Sequence, residues 1–190
     1  MIRVANFEKV SVAQYKKDYI DAYYKGYNAS DNKIESLSSE AANFYSTISE
    51  VVKTHSSIRL PKRATKGSAG YDFFAPEDIK LEPGQSIKVL TGIRVKMEEG
   101  WVLQIFPRSG LGFKFRCQLD NTVGIIDQDY YYSDNEGHIM IKITNDSKED
   151  KTIYVKTGDA FAQGIFVPFG ITLDDDVEDI RNGGFGSTTK

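Results

Sequence analysis

Sulfur and imidazole are scarce in this chain. Cys117 is its only cysteine, so no intrachain disulfide can form, and with no partner histidine it reads as a small buried hydrophobe. The two histidines, His55 and His138, make no metal-ligand pair at useful spacing and are expected to be satisfied or solvated side chains. Positive charge is not in surplus. Lys and Arg number 24 against 27 Asp and Glu, a formal net charge of -3, which leaves no basic footprint for duplex nucleic acid. No apolar run approaches a bilayer span, and residues 1–12 lack the apolar core of a signal peptide. A cytoplasmic protein without a membrane partner is expected.

What is present suffices for one substantial core and an appendage: 190 residues, 40% of them hydrophobic. From Ile58 onward short β-rich stretches alternate with turns, at Ile87 to Val95, Trp101 to Phe106, His138 to Asn145, Thr152 to Val155 and Phe161 to Phe169. Such spacing predicts an all-β sandwich or barrel. Before it the period is helical. Val12, Tyr15, Tyr19, Ile20, Tyr23, Tyr24 and Tyr27 recur at helix spacing behind Ser11 as an N-cap, Leu37, Ala41, Phe44, Tyr45, Ile48 and Val52 do the same, and Asp31 to Lys33 reads as the turn between. The chain thus divides into a mainly helical N-terminal extension (1–57), a β core (58–180) and a C-terminal arm (181–190). The aromatic face of the extension is expected to pack on its own barrel or on a neighbouring subunit.

The arm, RNGGFGSTTK, carries the clearest chemical signal. Gly183, Gly184 and Gly186 let backbone N–H groups approach an anion, Ser187 and Thr188 add hydroxyl donors, and Phe185 offers an aromatic face. A ligand with phosphates at one end and a flat base at the other, a nucleotide, fits that set; a flexible Gly/Ser tail fits the composition equally. Three internal segments add context. GSAGYDFFAP sets Asp72 between a glycine turn and an aromatic pair. PRSGLG places Arg108 and Ser109 at a turn after an apolar run, where a cation and a hydroxyl can meet phosphate. NTVGIIDQDYY gathers Asn121, Asp127, Asp129 and Tyr130 on an apolar stretch interrupted by Gly124, a pattern that reads as a β-hairpin.

With AGYD, PRSGLG, NTVGIIDQDY, AQ at Ala162 and Gln163, and GGFGST in this order, the chain resembles the trimeric all-β dUTPase family. The resemblance implies a jelly-roll or distorted β-barrel fold. It also implies hydrolysis of dUTP to dUMP and pyrophosphate by attack of water on the α-phosphorus, with Mg2+ holding the triphosphate. That reaction limits uracil in DNA and supplies dUMP for thymidylate synthesis. Residue by residue, it implies Asp127 as the carboxylate that activates water, and Asn121, Gly124 and Ile126 as the lining of the uracil slot. Tyr130 falls under the sugar, where it excludes a ribose hydroxyl. Arg108, Ser109, Gly110 and Gln163 become donors to the α- and β-phosphates, and Asp72 an outer-sphere holder of the metal through water. Arg181, Ser187 and Thr188 close over the outer phosphates, while Phe185 and Gly186 cover the base. A homotrimer with shared sites follows, Asn121, Asp127 and Tyr130 coming from one chain and Arg108, Ser109 and Gln163 from the next.

The sequence departs from the family at Ala160, where an Arg is usual, and in the longer loop YYSDNEGHI after Tyr130. Two other readings compete. The related dCTP deaminases need a glutamate where GHIMIK has Lys142, which weighs against that chemistry. A nucleotide-responsive module could recruit a regulatory protein through the helical extension or the 131–138 loop.

Overall fold

The computed structural model describes residues 2–23, 39–179 and 181, with the backbone alone over 39–45. The anticipated turn at Asp31 to Lys33 and the arm residues Gly183, Gly184, Phe185, Gly186, Ser187 and Thr188 lie outside the described residues.

Alternation of apolar and polar side chains builds the scaffold. In β9 (Ile139–Asn145) the residues Ile139, Ile141 and Ile143 are buried while Met140, Lys142 and Thr144 take the opposite face, the two-residue period of a strand with one face on a core. β9 lies between β5 (Ser86–Met97) and β7 (Cys117–Leu119), and β5 pairs on its other side with β1 (Ala5–Lys9), giving a four-stranded sheet. A five-stranded sheet runs β2 (Lys62–Arg63), β3 (Tyr71–Phe74), β11 (Ala160–Pro168), β6 (Trp101–Pro107) and β8 (Gly124–Ile126). A third, two-stranded ladder joins β4 (Ile79–Leu81) to β10 (Ile153–Val155). Every pairing is antiparallel. The result is the expected all-β, jelly-roll-like fold, filled by residues such as Phe73, Leu103, Ile139, Ile153 and Phe161. Cys117 is buried in it, and burial pushes its thiol up to about 11, so it is a packing residue and not a nucleophile.

Two helices precede β2: α1 (Val12–Tyr23), capped by Ser11 Oγ accepting the Gln14 N–H at 3.1 Å, and α2 (Ser39–Ser57). The extension packs on the β core, as expected of its aromatic face, and the segment before the helices also supplies a strand to that core. β1 forms an antiparallel ladder with β5, from Ala5 opposite Met97 to Lys9 opposite Ile93, and Val10, Tyr15 and Val51 belong to the same buried core as the barrel strands. The helices are an insertion between two strands of one fold. β1 and α2 also find partners inside it: Phe7 of β1 packs its ring on Tyr71, Phe73 and Phe166, and His55 Nε2 of α2 lies 2.7 Å from the Val10 carbonyl.

The hairpin anticipated over Asn121 to Tyr131 is also different. β7 pairs with β9 and β8 pairs with β6, so the two strands part into different sheets. Between them a tight turn, with Thr122 N–H donating to Leu119 O at 2.9 Å and Thr122 at φ +66°, carries the chain across. Gly124 packs closely rather than turning the chain: a Cβ there would lie 3.2 Å from Ile105 Cβ, a tight contact.

Candidate active site

Where β7 and β8 part, a cavity of about 610 Å³ opens. Among the described residues β8 is the last strand of its sheet, so one edge of its backbone has no ladder partner there and faces this space. Asn121, Gly124, Ile126, Asp127, Tyr130 and Arg181 all line the cavity, which unites the sequence candidates for base, sugar and water. Asp127 follows β8 directly in extended conformation (φ -73°, ψ 156°) and precedes a 3₁₀ turn, Gln128–Tyr132. That turn swings Tyr130 back against the cavity wall, where only 6% of it remains exposed. Its hydroxyl donates to His138 O and accepts from Asn135 Nδ2, both at 2.8 Å, and burial, the largest influence, pushes its pKa upward. The ring is a fixed neutral wall.

Arg181 sits elsewhere than a phosphate-closing role alone suggests. Its guanidinium is ion-paired to Asp127 Oδ2 and donates through Nε to Asp129 Oδ1 at 2.8 Å. One oxygen of Asp127 is thereby engaged, and Asp129 acts as the second arm of a clamp on the arginine.

The remaining candidates form a second cluster that does not line the cavity. β3 and β11 place Asp72 opposite Gln163, and β11 and β6 bring Pro107 beside Ala162. Arg108 follows at the start of α3 (Ser109–Phe115), its Nε 3.4 Å from Asp72 Oδ1. Gln163 Nε2 donates to Pro107 O at 3.3 Å. A Cβ at Gly70 would stand 2.9 Å from Gln163 Oε1, so that glycine leaves room for the amide. Ser109 and Gly110 are exposed beside Arg108, and Gly110 has open space where its side chain would be. Nothing among the described residues requires glycine there, which suits close approach by an outside group.

The sequence singles out Lys142 against a deaminase reading, but not the charged pair it makes at the cavity. Lys142 Nζ lies 2.6 Å from Asp120 Oδ2, Thr144 Oγ1 bonds the other oxygen, and Ser86 Oγ meets Thr144 Oγ1 at 2.6 Å. The Lys142 and Thr144 hydrogen bonds hold the Asp120 carboxyl below its usual range. Lys88, opposite Lys142 in the β5–β9 register, also lines the cavity. The outward alternation of β9 was the available signal for Lys142. Its partner could not be read from spacing.

Among the described residues no group of three or more His, Cys, Asp or Glu side chains could hold a metal ion. A metal held wholly by side chains therefore does not fit them, whereas a single carboxylate such as Asp72 fits a water of a metal already bound to phosphate oxygens. No helix among the described residues is long and apolar enough to cross a membrane.

A family model described as dUTPase matches residues 56–189. The deoxyuridine 5'-triphosphate nucleotidohydrolase of Lactococcus lactis subsp. lactis is 40% identical over 134 residues, 69% of this chain and 88% of that protein. Among solved structures, the dUTPase from Streptococcus mutans aligns with a TM-score of 0.53 at 39% identity, covering 60% of this chain and 88% of its own. The dUTPase from phage phi11 of S. aureus aligns with a TM-score of 0.51 at 28% identity, covering 68% and 92%. With the motif residues gathered at two clusters on this fold and the family match extending over most of its length, the chain belongs to the dUTPase family, the deoxyuridine 5'-triphosphate nucleotidohydrolases.

Proposed function

We propose that this enzyme hydrolyses dUTP to dUMP and pyrophosphate, with Asp127 ordering and deprotonating the water that attacks the α-phosphorus. The observation that carries this reading is the convergence of Asp127, Tyr130 and the unpaired edge of β8 on one cavity. A backbone edge offers fixed N–H donors and C=O acceptors, the pattern a uracil edge needs, and cytosine would leave some of them unpaired. Tyr130 then lies against the C2′ face of the deoxyribose and rejects a ribose hydroxyl. Asp127, at the mouth beyond the base, is placed to take the proton of a water in line with the α-phosphorus. Arg108, Ser109, Gly110 and Gln163 donate to the α- and β-phosphate oxygens, where charge builds during phosphoryl transfer. Because that second cluster does not line the cavity, it serves the cavity of an adjacent subunit in a homotrimer with shared sites. Asp72 would hold a water of a Mg2+ bound by the triphosphate, and that ion would supply charge neutralisation to the phosphates. Arg181 leaves Asp127 as the triphosphate arrives, and the arm carrying Phe185, Gly186, Ser187 and Thr188 closes over base and phosphates.

The position that would carry a glutamate in a deaminase is Lys142, neutralised by Asp120, and this favours hydrolysis. The product would supply thymidylate synthesis and keep uracil out of DNA. A second reading, a nucleotide-switched interaction module, is favoured by the exposed Tyr132 on the loop after Tyr130. Structural relatives include a Staphylococcus bacteriophage 80alpha dUTPase described among phage dUTPases that control transfer of virulence genes. A panel of dUTP, UTP, dCTP and dTTP with Mg2+, read for pyrophosphate and for the base of the product, separates these readings. Pyrophosphate and dUMP from dUTP support the hydrolase; ammonia release supports a deaminase; unchanged nucleotide supports a binder.

A further inference from the structure

The loop that follows Tyr130 is held by the N-terminal segment. Tyr131 Oη donates to Glu8 Oε2 of β1 at 2.8 Å. Ser11, the cap of α1, donates through its N–H and its hydroxyl to the two carboxylate oxygens of Glu136, each at 2.7 Å. Asp18 of α1 places Oδ2 2.6 Å from His138 Nδ1. The last pair is almost completely buried, with His138 at 0% and Asp18 at 7% exposure.

Its protons can be assigned. His138 Nε2 lies 2.8 Å from the Gly92 N–H, which can only donate, so Nε2 presents its lone pair and Nδ1 carries the proton given to Asp18. Gln14 Nε2 satisfies the other oxygen of Asp18 at 2.9 Å. Gly92 is free to meet His138 because the β5–β9 register shifts between Leu90 and Ile93. A Cβ on this residue, at φ +67°, would lie 2.2 Å from Ile58 Cδ1. The carbonyl of His138 in turn accepts the Tyr130 hydroxyl. A continuous path of hydrogen bonds thus runs from Asp18 through His138 to Tyr130. The loop itself folds directly over Tyr130: Glu136 and Gly137 have φ +57° and +69°, and a Cβ on Gly137 would stand 2.7 Å from Tyr130 O.

We propose that α1 positions the sugar-reading tyrosine, with Asp18 acting through His138 and Ser11 through Glu136 to fix the Tyr130–His138 loop. The inference rests on the reading of Tyr130 as the group that excludes a ribose hydroxyl. Asp18 and Ser11 are positioning residues; neither lines the cavity. Loosening the loop lets the ring move away from the C2′ face, and a displacement of about an ångström at such a site can cost up to about a hundredfold in rate. The effect falls on discrimination because UTP gains the space that dUTP does not need.

The test compares kcat/KM for dUTP and for UTP in Asp18→Ala, Asp18→Asn, Ser11→Ala and Tyr130→Ala, with folding followed by circular dichroism. Asp18→Ala and Ser11→Ala are expected to lower the dUTP/UTP ratio by about fivefold or more, a fraction of the hundredfold ceiling for misplacement. Asp18→Asn is expected to retain the ratio, since its amide oxygen still accepts from His138 and a turned Gln14 amide accepts its NH2. Folded alanine variants with lower melting temperatures and an unchanged ratio would reduce α1 to a structural brace and overturn the inference. Should Asp18→Ala fail to fold, the exposed Ser11→Ala decides alone by the same criterion. An unchanged ratio in Tyr130→Ala would instead remove the sugar-reading role, and the inference with it; a changed ratio there beside unchanged α1 variants refutes only the positioning.

Discussion

A chain beginning at Ser56 retains every family motif, yet it is expected not to fold. The deletion removes β1, and with it the partner of Ile93 to Met97 on β5, leaving a long apolar strand as an open edge. It also removes Val10, Tyr15 and Val51, each at most 2% exposed, from contact with the barrel. The barrel surface they uncover costs about 1.5–3 kcal/mol for each such side chain, or about 5–9 kcal/mol together. Loss of Asp18 leaves the buried His138 Nδ1–H without an acceptor, a further cost of about 1–3 kcal/mol. A domain of this kind has a net stability of about 5–15 kcal/mol, so the deletion consumes most or all of it. The assay is urea unfolding at fixed protein concentration, followed by fluorescence of the single tryptophan, Trp101, beside dUTP hydrolysis. A soluble truncated chain with a cooperative transition near that of the full chain would refute the reasoning and restore residues 1–57 as an appendage.

Three further outcomes follow from the site and its surroundings. Asp127→Asn should bind dUTP nearly as well as the unaltered chain but turn it over at least about a hundredfold more slowly, since a positioned base contributes that much; single-turnover kinetics with a binding titration separates the two quantities. Tyr130→Ala should narrow the preference for dUTP over UTP, while Tyr131→Ala, whose ring lies under the Arg94 guanidinium, should leave kcat for dUTP within about tenfold of the unaltered chain because it touches no part of the cavity. Asp120 has a folded-state pKa below its ordinary 3.8, so its pairing stabilises the fold above that pH and the contribution disappears as pH falls through the lowered value. Melting temperatures of Asp120→Asn and the unaltered chain should therefore differ at pH 7 and converge only as pH falls through the lowered folded-state pKa of Asp120.

The strands of the core were legible because their alternation is strong: β5, β6, β9, β10 and β11 fall on the stretches that sequence pattern marks. β1 was not, since ANFEK contains one large apolar residue and takes strand form from its ladder with β5. The same ladder turns an apparent extension into an insertion, and no local pattern announces that the chain before a pair of helices belongs to the sheet after them. Gly124 misled in the other direction. Its position in NTVGIID suggested a turn, whereas it lies inside a strand and packs closely on Ile105. Within the site, the motif residues Asn121, Asp127 and Tyr130 could be found because they are close in sequence. Lys142 with Asp120 and His138 with Asp18 could not, because the second pair is separated by 120 positions and only the fold brings it together.

The most direct measurement is a single turnover of dUTP with Mg2+ in 18O-enriched water, run with the unaltered enzyme and with Asp127→Asn, followed by mass spectrometry of both products. Attack at the α-phosphorus with Asp127 as base predicts the label in the dUMP phosphate and none in pyrophosphate, with the label appearing far more slowly in the variant. Label in pyrophosphate would place the attack on the β-phosphorus, and equal rates in the two proteins would remove Asp127 from the chemistry; either result contradicts the account.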